Sequence, residues 1–304
     1  MTKFSTAMTA SLLALAVGLA AAGPCPAEDL AHSAPFLGMG VGPRALAMGG
    51  AYVGVADDVT AGYWNPAGLM QIDWIEATFM YSDMDLDRKY NYFAYGHHLD
   101  FGAVAISWIN SGTDDIKIYN PDGTADGTDN WNDNALLLSY GTGLGGFYVG
   151  GTAKILCSKM GDQDDTGFGV DAAVRFVPSS KLAVGIILQD IGTQYWGETV
   201  PSTVRVGVAL KSADEDFLIA ADIDKKGDED IRFHLGAEFQ FAYVPGNYAA
   251  LRAGLVSSES QEDNVALSFG AGLWVGSVSL DYAYLPEKQE FMNSSHRIAL
   301  TGRF

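Results

Sequence analysis

Only two cysteines, Cys25 and Cys157, occur in 304 residues, too few for a disulfide framework and without the companions a metal site would need. Basic residues are scarce too. Eighteen Lys and Arg stand against 37 Asp and Glu, a formal net charge of -19, which excludes a nucleic-acid partner that would require a basic face. Long hydrophobic runs are missing beyond the first 27 residues, so no helix is expected to lodge in an inner membrane. What remains abundant is glycine, with 36 residues, and a strict alternation of apolar with small or polar side chains.

The first residues form a leader. Lys3 precedes the apolar run Met8–Ala22, which is too short for a membrane span, and cleavage after Ala22 or Ala27 would release an exported chain. Pro24 stands where a lipobox needs a small residue, so lipid attachment at Cys25 is not expected. We divide the chain into a signal peptide over 1–27, a non-alternating segment over 28–73 and a region of period-2 alternation over 74–304.

Within that last region Val265, Leu267, Phe269, Ala271, Leu273 and Val275 share one face, against Ala266, Ser268, Gly270 and Gly272 on the other. The same rhythm recurs in strands placed near 74–82, 89–99, 101–110, 134–142, 145–158, 166–177, 180–190, 201–211, 216–225, 230–243, 248–256, 263–275, 276–286 and 294–304. Such repetition predicts an all-β, transmembrane antiparallel barrel of about 14 strands rather than a soluble sandwich, with lipid outside and a polar lumen inside. Short connections at 99–100, 143–144, 178–180 and 276–277 alternate with longer acidic ones, which predicts both termini in the periplasm and the acidic loops outside. The terminal Phe304 is then the expected signal for barrel-assembly machinery.

The longest loop is expected over 111–133, carrying Asp114, Asp115, Asp122, Asp126, Asp129 and Asp133; Asp162, Asp164, Asp165, Asp228, Glu229 and Asp230 fall in others. These carboxylates either face water or bridge divalent cations to anionic outer-membrane lipid. No EF-hand spacing is present, because Phe233 stands where the bidentate Glu belongs. The register opposite the lipid face places Lys154, Asp171, Arg175, Arg205, Asp222, Arg232, Glu238, Arg252, Asp281, Arg297 and Arg303 in the lumen, as ion pairs stiffening the wall or as a polar route. Inward glycines such as Gly150, Gly236 and Gly254 imply that another backbone packs inside, and the 28–73 segment is the candidate hatch.

That segment contains Pro43-Arg44-Ala45-Leu46-Ala47-Met48-Gly49-Gly50-Ala51-Tyr52-Val53, then Ala56-Asp57-Asp58, then Trp64-Asn65-Pro66-Ala67-Gly68-Leu69. Asn65 can cap a short helix with Pro66 at its first position, ending at Gly68 or beyond Leu69. Gly49 and Gly50 allow a tight turn or close approach to the wall, and Arg44 needs a carboxylate or carbonyl if buried; Asp57 and Asp58 are either its partners or turn formers. No Lys-Ser/Thr follows the glycines, so this is not a phosphate loop. The combined motif closely resembles the PorV/PorQ family of outer-membrane proteins and, more distantly, the FadL-like transporters of hydrophobic compounds, although the loops here are shorter than is usual for either.

The resemblance implies a hatch inside a fourteen-stranded monomeric barrel, and transport or delivery of a hydrophobic or amphipathic compound, with movement around Asn65-Pro66-Ala67. It also implies an alternative, a PorV-like accessory of type IX protein secretion docking exported proteins; a structural envelope barrel is the third reading. His97, His98, His234 and His296 lack evident Ser and acid partners, so no enzyme, cofactor or metal is expected.

Overall fold

The computed structural model describes residues 34–84, 88–258, 265–286 and 295–304. The leader, Cys25 and hatch residues 28–33 lie outside these. Fourteen antiparallel strands close into a barrel. They are β1 (Ile75–Asp83), β2 (Arg88–Leu99), β3 (Gly102–Tyr119), β4 (Ala125–Leu144), β5 (Phe147–Met160), β6 (Gln163–Ser179), β7 (Leu182–Ile191), β10 (Thr203–Lys211), β11 (Phe217–Lys226), β12 (Arg232–Val244), β13 (Asn247–Ser258), β14 (Val265–Val275), β15 (Val278–Leu285) and β16 (Ser295–Arg303). β1 pairs with β16, so no strand edge is left open. Two further short strands, β8 (Gln194–Tyr195) and β9 (Glu198–Thr199), pair only with each other.

Alternation sets which side chains meet lipid. Across β2 to β6 one outward row reads Phe93, Trp108, Leu136, Ile155 and Phe168, and the neighbouring row reads Asn91, Asn110, Asn134, Cys157 and Thr166. Amide side chains link that polar row: Asn110 Nδ2 donates to Asn134 Oδ1 at 3.1 Å, and Trp108 Nε1 to the same oxygen at 3.1 Å. It marks the edge of the apolar belt. From Asn91 to Leu99, at about 3.4 Å per residue and a tilt of about 40°, the belt is roughly 20 Å high, near the roughly 25 Å of outer-membrane barrels. Its outward residues elsewhere include Phe79, Leu235, Leu251, Leu280 and Leu300, all well exposed because lipid, not protein, is their solvent. No helix among the described residues is long and apolar enough to cross a membrane.

The wall is uneven. β3 and β4 run 18 and 20 residues, whereas β7 and β10 run 10 and 9. The expected loop over 111–133 is therefore corrected: β3 and β4 continue through most of it as a hairpin, leaving only residues 120–124 as the connection. Both faces of this ribbon are wet once it leaves the membrane, so its polar residues pair without the apolar alternation that betrays a strand. The same reason hides the β5–β6 hairpin, where Asp164 and Asp165 lie in β6. Two-residue connections at 100–101, 145–146, 180–181, 245–246 and 276–277 gather at the end where β1 begins and β16 finishes.

Residues 34–72 sit inside this barrel. A 3-10 turn (Pro35–Gly38), helix α1 (Pro43–Ala47), helix α2 (Ala61–Trp64) and a 3-10 helix (Pro66–Gln71) succeed one another, too short to be stable alone and held by what surrounds them. Val41, Ala47, Met48, Tyr52, Val59, Ala67 and Leu69 are fully buried against inward wall residues such as Tyr90, Tyr92, Ile109, Leu137 and Leu156. The core of the molecule is this contact between hatch and wall.

Candidate functional site: the hatch and its clamp

Close approach comes first. A Cβ on Gly254 of β13 would stand 2.0 Å from the Gly49 nitrogen, and one on Gly150 of β5 would stand 2.4 Å from the Ala67 nitrogen. Any larger residue at either wall position would push the hatch backbone away. Gly49 itself has φ +66, in the left-handed region, and ends the turn after α1.

Into this tight fit the hatch brings backbone groups that its short helices leave unsatisfied, and the wall supplies charges to satisfy them. Asp222 Oδ2 accepts from both Tyr52 N and Val53 N at 2.9 Å. Arg175 donates to Gly54 O at 3.2 Å and Val55 O at 2.9 Å; Arg205 donates to Gly50 O at 3.2 Å, and Arg297 to Gly40 O at 3.3 Å. His234 Nδ1 donates to Gly49 O at 2.7 Å while its Nε2 meets Asp224, which Arg205 and Arg232 also pair at 3.2 and 2.8 Å.

Among the described residues Arg44 is the hatch's only cation, and it joins this wall network. Its Nε and Nη2 donate to the two carboxylate oxygens of Glu238 at 2.8 and 2.9 Å, and Nη1 donates to Asp57 at 2.6 Å and the Tyr52 hydroxyl at 3.0 Å. Glu238 also accepts from Arg252 Nε at 2.6 Å, and Arg252 continues to Asp281 at 2.7 Å. A bidentate, buried pair of this kind fixes orientation as well as position. Burial alone would push the Asp57 carboxyl up, but Arg44 first and Lys211 next outweigh it and hold the group below the ordinary carboxylate value. Burial pushes the Tyr52 phenol well up, so its proton stays and is donated to Asp58 Oδ2 at 2.5 Å. Asp58 also accepts from Thr60 N at 2.9 Å, so it forms the turn and faces Arg44, 3.6 Å away, at once.

Asn65 caps the 3-10 helix by accepting from Ala67 N at 3.1 Å, with Pro66 first in that helix. Its amide also donates to Val53 O at 3.0 Å and to Val174 O of β6 at 3.3 Å. Of the two ends expected for this helix, the one beyond Leu69 is found: it runs on to Gln71, and Gly68 lies where a Cβ would stand 2.1 Å from Ala56 O. Pro66 and Ala67 lie against wall glycines: a Cβ on Gly141 would stand 2.5 Å from Pro66 O, and one on Gly150 2.4 Å from Pro66 C and from Ala67 N.

Lys154, Asp171 and Asp281 complete the set read from the sequence. Lys154 pairs with Asp171 at 2.8 Å and with Asp190 at 2.7 Å, and Arg303 pairs with Glu76 at 3.1 Å. Phe304 lies exposed at the end of β16, its backbone bonded to Ile75. Sequence reasoning missed Glu76, Asp190 and Lys211, and it missed that Asp133 is buried, bonded to Ser158 and to Tyr195 Oη at 2.9 Å. Of the histidines, His98 contacts Ile72 O, and His296 lies on the outer wall bonded to Tyr282 Oη at 2.7 Å. Among the described residues no three or more His, Cys, Asp or Glu side chains converge to hold a metal.

A cavity of about 450 Å³ opens at the end of the barrel where the short turns lie, lined by Arg44, Asp57, Glu76, Lys211, Tyr248, Trp274 and Arg303 among others. The clamp thus borders a vestibule of mixed charge and aromatic rings on that side.

No family model and no curated protein sequence matches this chain. Its fold is similar to the crystal structure of the Ralstonia pickettii toluene transporter TbuX, with a TM-score of 0.66 and 12% identity over 87% of this chain and 98% of that one. The Pseudomonas putida toluene transporter TodX gives 0.65 at 12% identity over 87% and 99%, and a Pseudomonas aeruginosa FadL homologue 0.63 at 11% over 87% and 98%. At such identities the likeness establishes the architecture, a closed fourteen-stranded barrel of the FadL type. The PorV/PorQ resemblance has no counterpart among these matches.

Proposed function

We propose that the protein is an outer-membrane transporter that passes a hydrophobic or amphipathic compound by rearrangement of the hatch. The observation that carries this reading is what fills the lumen. Phe36, Leu37, Tyr63, Tyr90, Tyr92 and Leu156 occupy it together with folded backbone, where a channel for ions would keep a water-filled bore. A solute that crosses must exchange contacts with apolar side chains, and an apolar one loses least in doing so. The architecture shared with two toluene transporters agrees with this.

The connections support an orientation with the short turns and the ends of β1 and β16 in the periplasm and the long hairpins outward. Docking of secreted proteins finds no support, since the Pro43–Val53 motif that suggested it is turned inward and almost wholly buried. The test is uptake of toluene and of a long-chain fatty acid into proteoliposomes by the full chain and by a variant lacking residues 34–72, its folding checked by circular dichroism. We expect uptake by the full chain and a changed rate without the hatch. No uptake above empty vesicles, and no response to the deletion, would leave a structural barrel.

A further inference from the structure

A second segment enters the lumen from the opposite end, and nothing in the transport reading assigns it a role. β7 leaves the wall at a bulge: Val170 pairs with Ile191 and Ala172 with Leu188, so Gln189 and Asp190 oppose the single residue Asp171. Asp190 has φ 61 and turns inward onto Lys154. From there residues 192–200 fold over the apolar core. Tyr195 and Val200 are buried in it, and the Tyr195 ring lies 6.0 Å from that of Phe36.

This segment is attached quite differently from the wall. β8 and β9 pair only with each other, and the backbone bonds Val200 N to Thr193 O and Thr193 N to Asp190 O close locally, while Gln194 O lies against Gly167 of β6, where a Cβ would stand 1.9 Å from it. Side chains supply the ties to the barrel: Tyr195 Oη to Asp133, Trp196 Nε1 to Ser158 Oγ at 3.0 Å, and Trp196 N to Asp165 Oδ2 at 2.5 Å. Gly192 and Gly197 have φ 62 and 77 with open space where a Cβ would be, so the backbone can turn at both without steric penalty.

We propose that residues 192–200 are a hinged lid, and that the apolar bed under Tyr195, formed by Phe36 and Leu156, is where an uncharged apolar solute first binds. Lifting the lid breaks side-chain hydrogen bonds that water can replace, while the bed it uncovers is one water cannot satisfy and an apolar molecule can. The inference rests on the transporter reading for the solute class, but not for the motion.

The experiment uses the full chain in proteoliposomes, in a Cys25→Ser/Cys157→Ser background. Val200→Cys is labelled with a membrane-impermeant maleimide and compared with Val41→Cys in the hatch core. Labelling at position 200 should be at least tenfold faster than at position 41, rise again with Tyr195→Phe, and accelerate at least threefold with toluene. A second variant, Gly169→Cys/Thr193→Cys, can lock the lid root: a Cβ at 169 would stand 2.9 Å from that of Thr193, and an outward shift of the lid root by about 1 Å brings the pair to the roughly 3.5–4.5 Å of a disulfide. Oxidation should cut toluene uptake at least tenfold, and reductant should restore it. Equal labelling at 200 and 41 regardless of toluene overturns the lid, as does uptake unaffected by oxidation. If the parent takes up no toluene yet toluene speeds labelling at 200, the lid stands and the transport reading falls.

Discussion

Residues 40–72 and residues 192–200 both fill the same lumen, but the first is tied to the wall along its length and the second mainly by side chains. The hatch has its backbone pressed against wall glycines and its free peptide groups bonded to Asp222, Arg175, Arg205 and Arg297. The lid meets wall glycines only at its root, Gln194 O against Gly167 and Thr193 against Gly169, and one of its peptide groups, Trp196 N, bonds Asp165; the rest of it is held by side-chain hydrogen bonds and one buried tyrosine. Backbone satisfied by buried charge is expensive to expose, because both partners must then be solvated again, whereas a hydroxyl or indole bonded near the rim exchanges readily with water. The difference implies that the molecule opens first where it is held by side chains.

Glu238→Ala should have the largest effect, since it strands Arg44 and Arg252 together; breaking a buried pair costs about 3–5 kcal/mol. A lowered urea midpoint with early proteolysis within 40–60 is expected, and unchanged resistance there would mean that the clamp does not hold the hatch. Next comes Asn65→Ala, which removes the cap and leaves Val53 O unpaired, at about 1–3 kcal/mol by the same measurement. Tyr195→Phe loses one hydrogen bond to Asp133, about 1 kcal/mol, and should loosen the lid while the urea midpoint hardly moves. An equal effect on hatch and lid would erase the contrast.

The smallest effect is that of acid. Asp57 is held below the ordinary carboxylate value, so its contribution is complete above the unfolded pKa of about 3.9 and is lost only as pH falls through the lower folded value. Tryptophan emission from Trp64, isolated by comparison with Trp64→Phe, should therefore show no step from Asp57 between pH 8 and about pH 4, its profile there being the same with Asp57→Asn.

Much of this was legible in the chain. Alternation in segments such as Val265–Val275 reports lipid on one face, and strand number and lumen register follow from it. Inward wall glycines such as Gly150 and Gly254 likewise pointed to a backbone packed inside, and residues 34–72 lie against them. Alternation falls silent where both faces are wet, which is why the β3–β4 hairpin reads as a loop. It also cannot say that Arg175 and Asp222 serve the hatch backbone rather than each other, since a carbonyl partner carries no signature of its own. The lid left one trace, Tyr195-Trp196 in an otherwise polar connection, too short to distinguish from a membrane-interface pair.

Hydrogen exchange of the full chain in lipid nanodiscs, followed by mass spectrometry, tests the central claim most directly. Peptides covering 40–72 should be protected like the barrel strands, and those covering 192–200 should exchange at least a hundredfold faster. Protection of both segments to the same degree, or a hatch that exchanges ahead of the lid, would contradict the account.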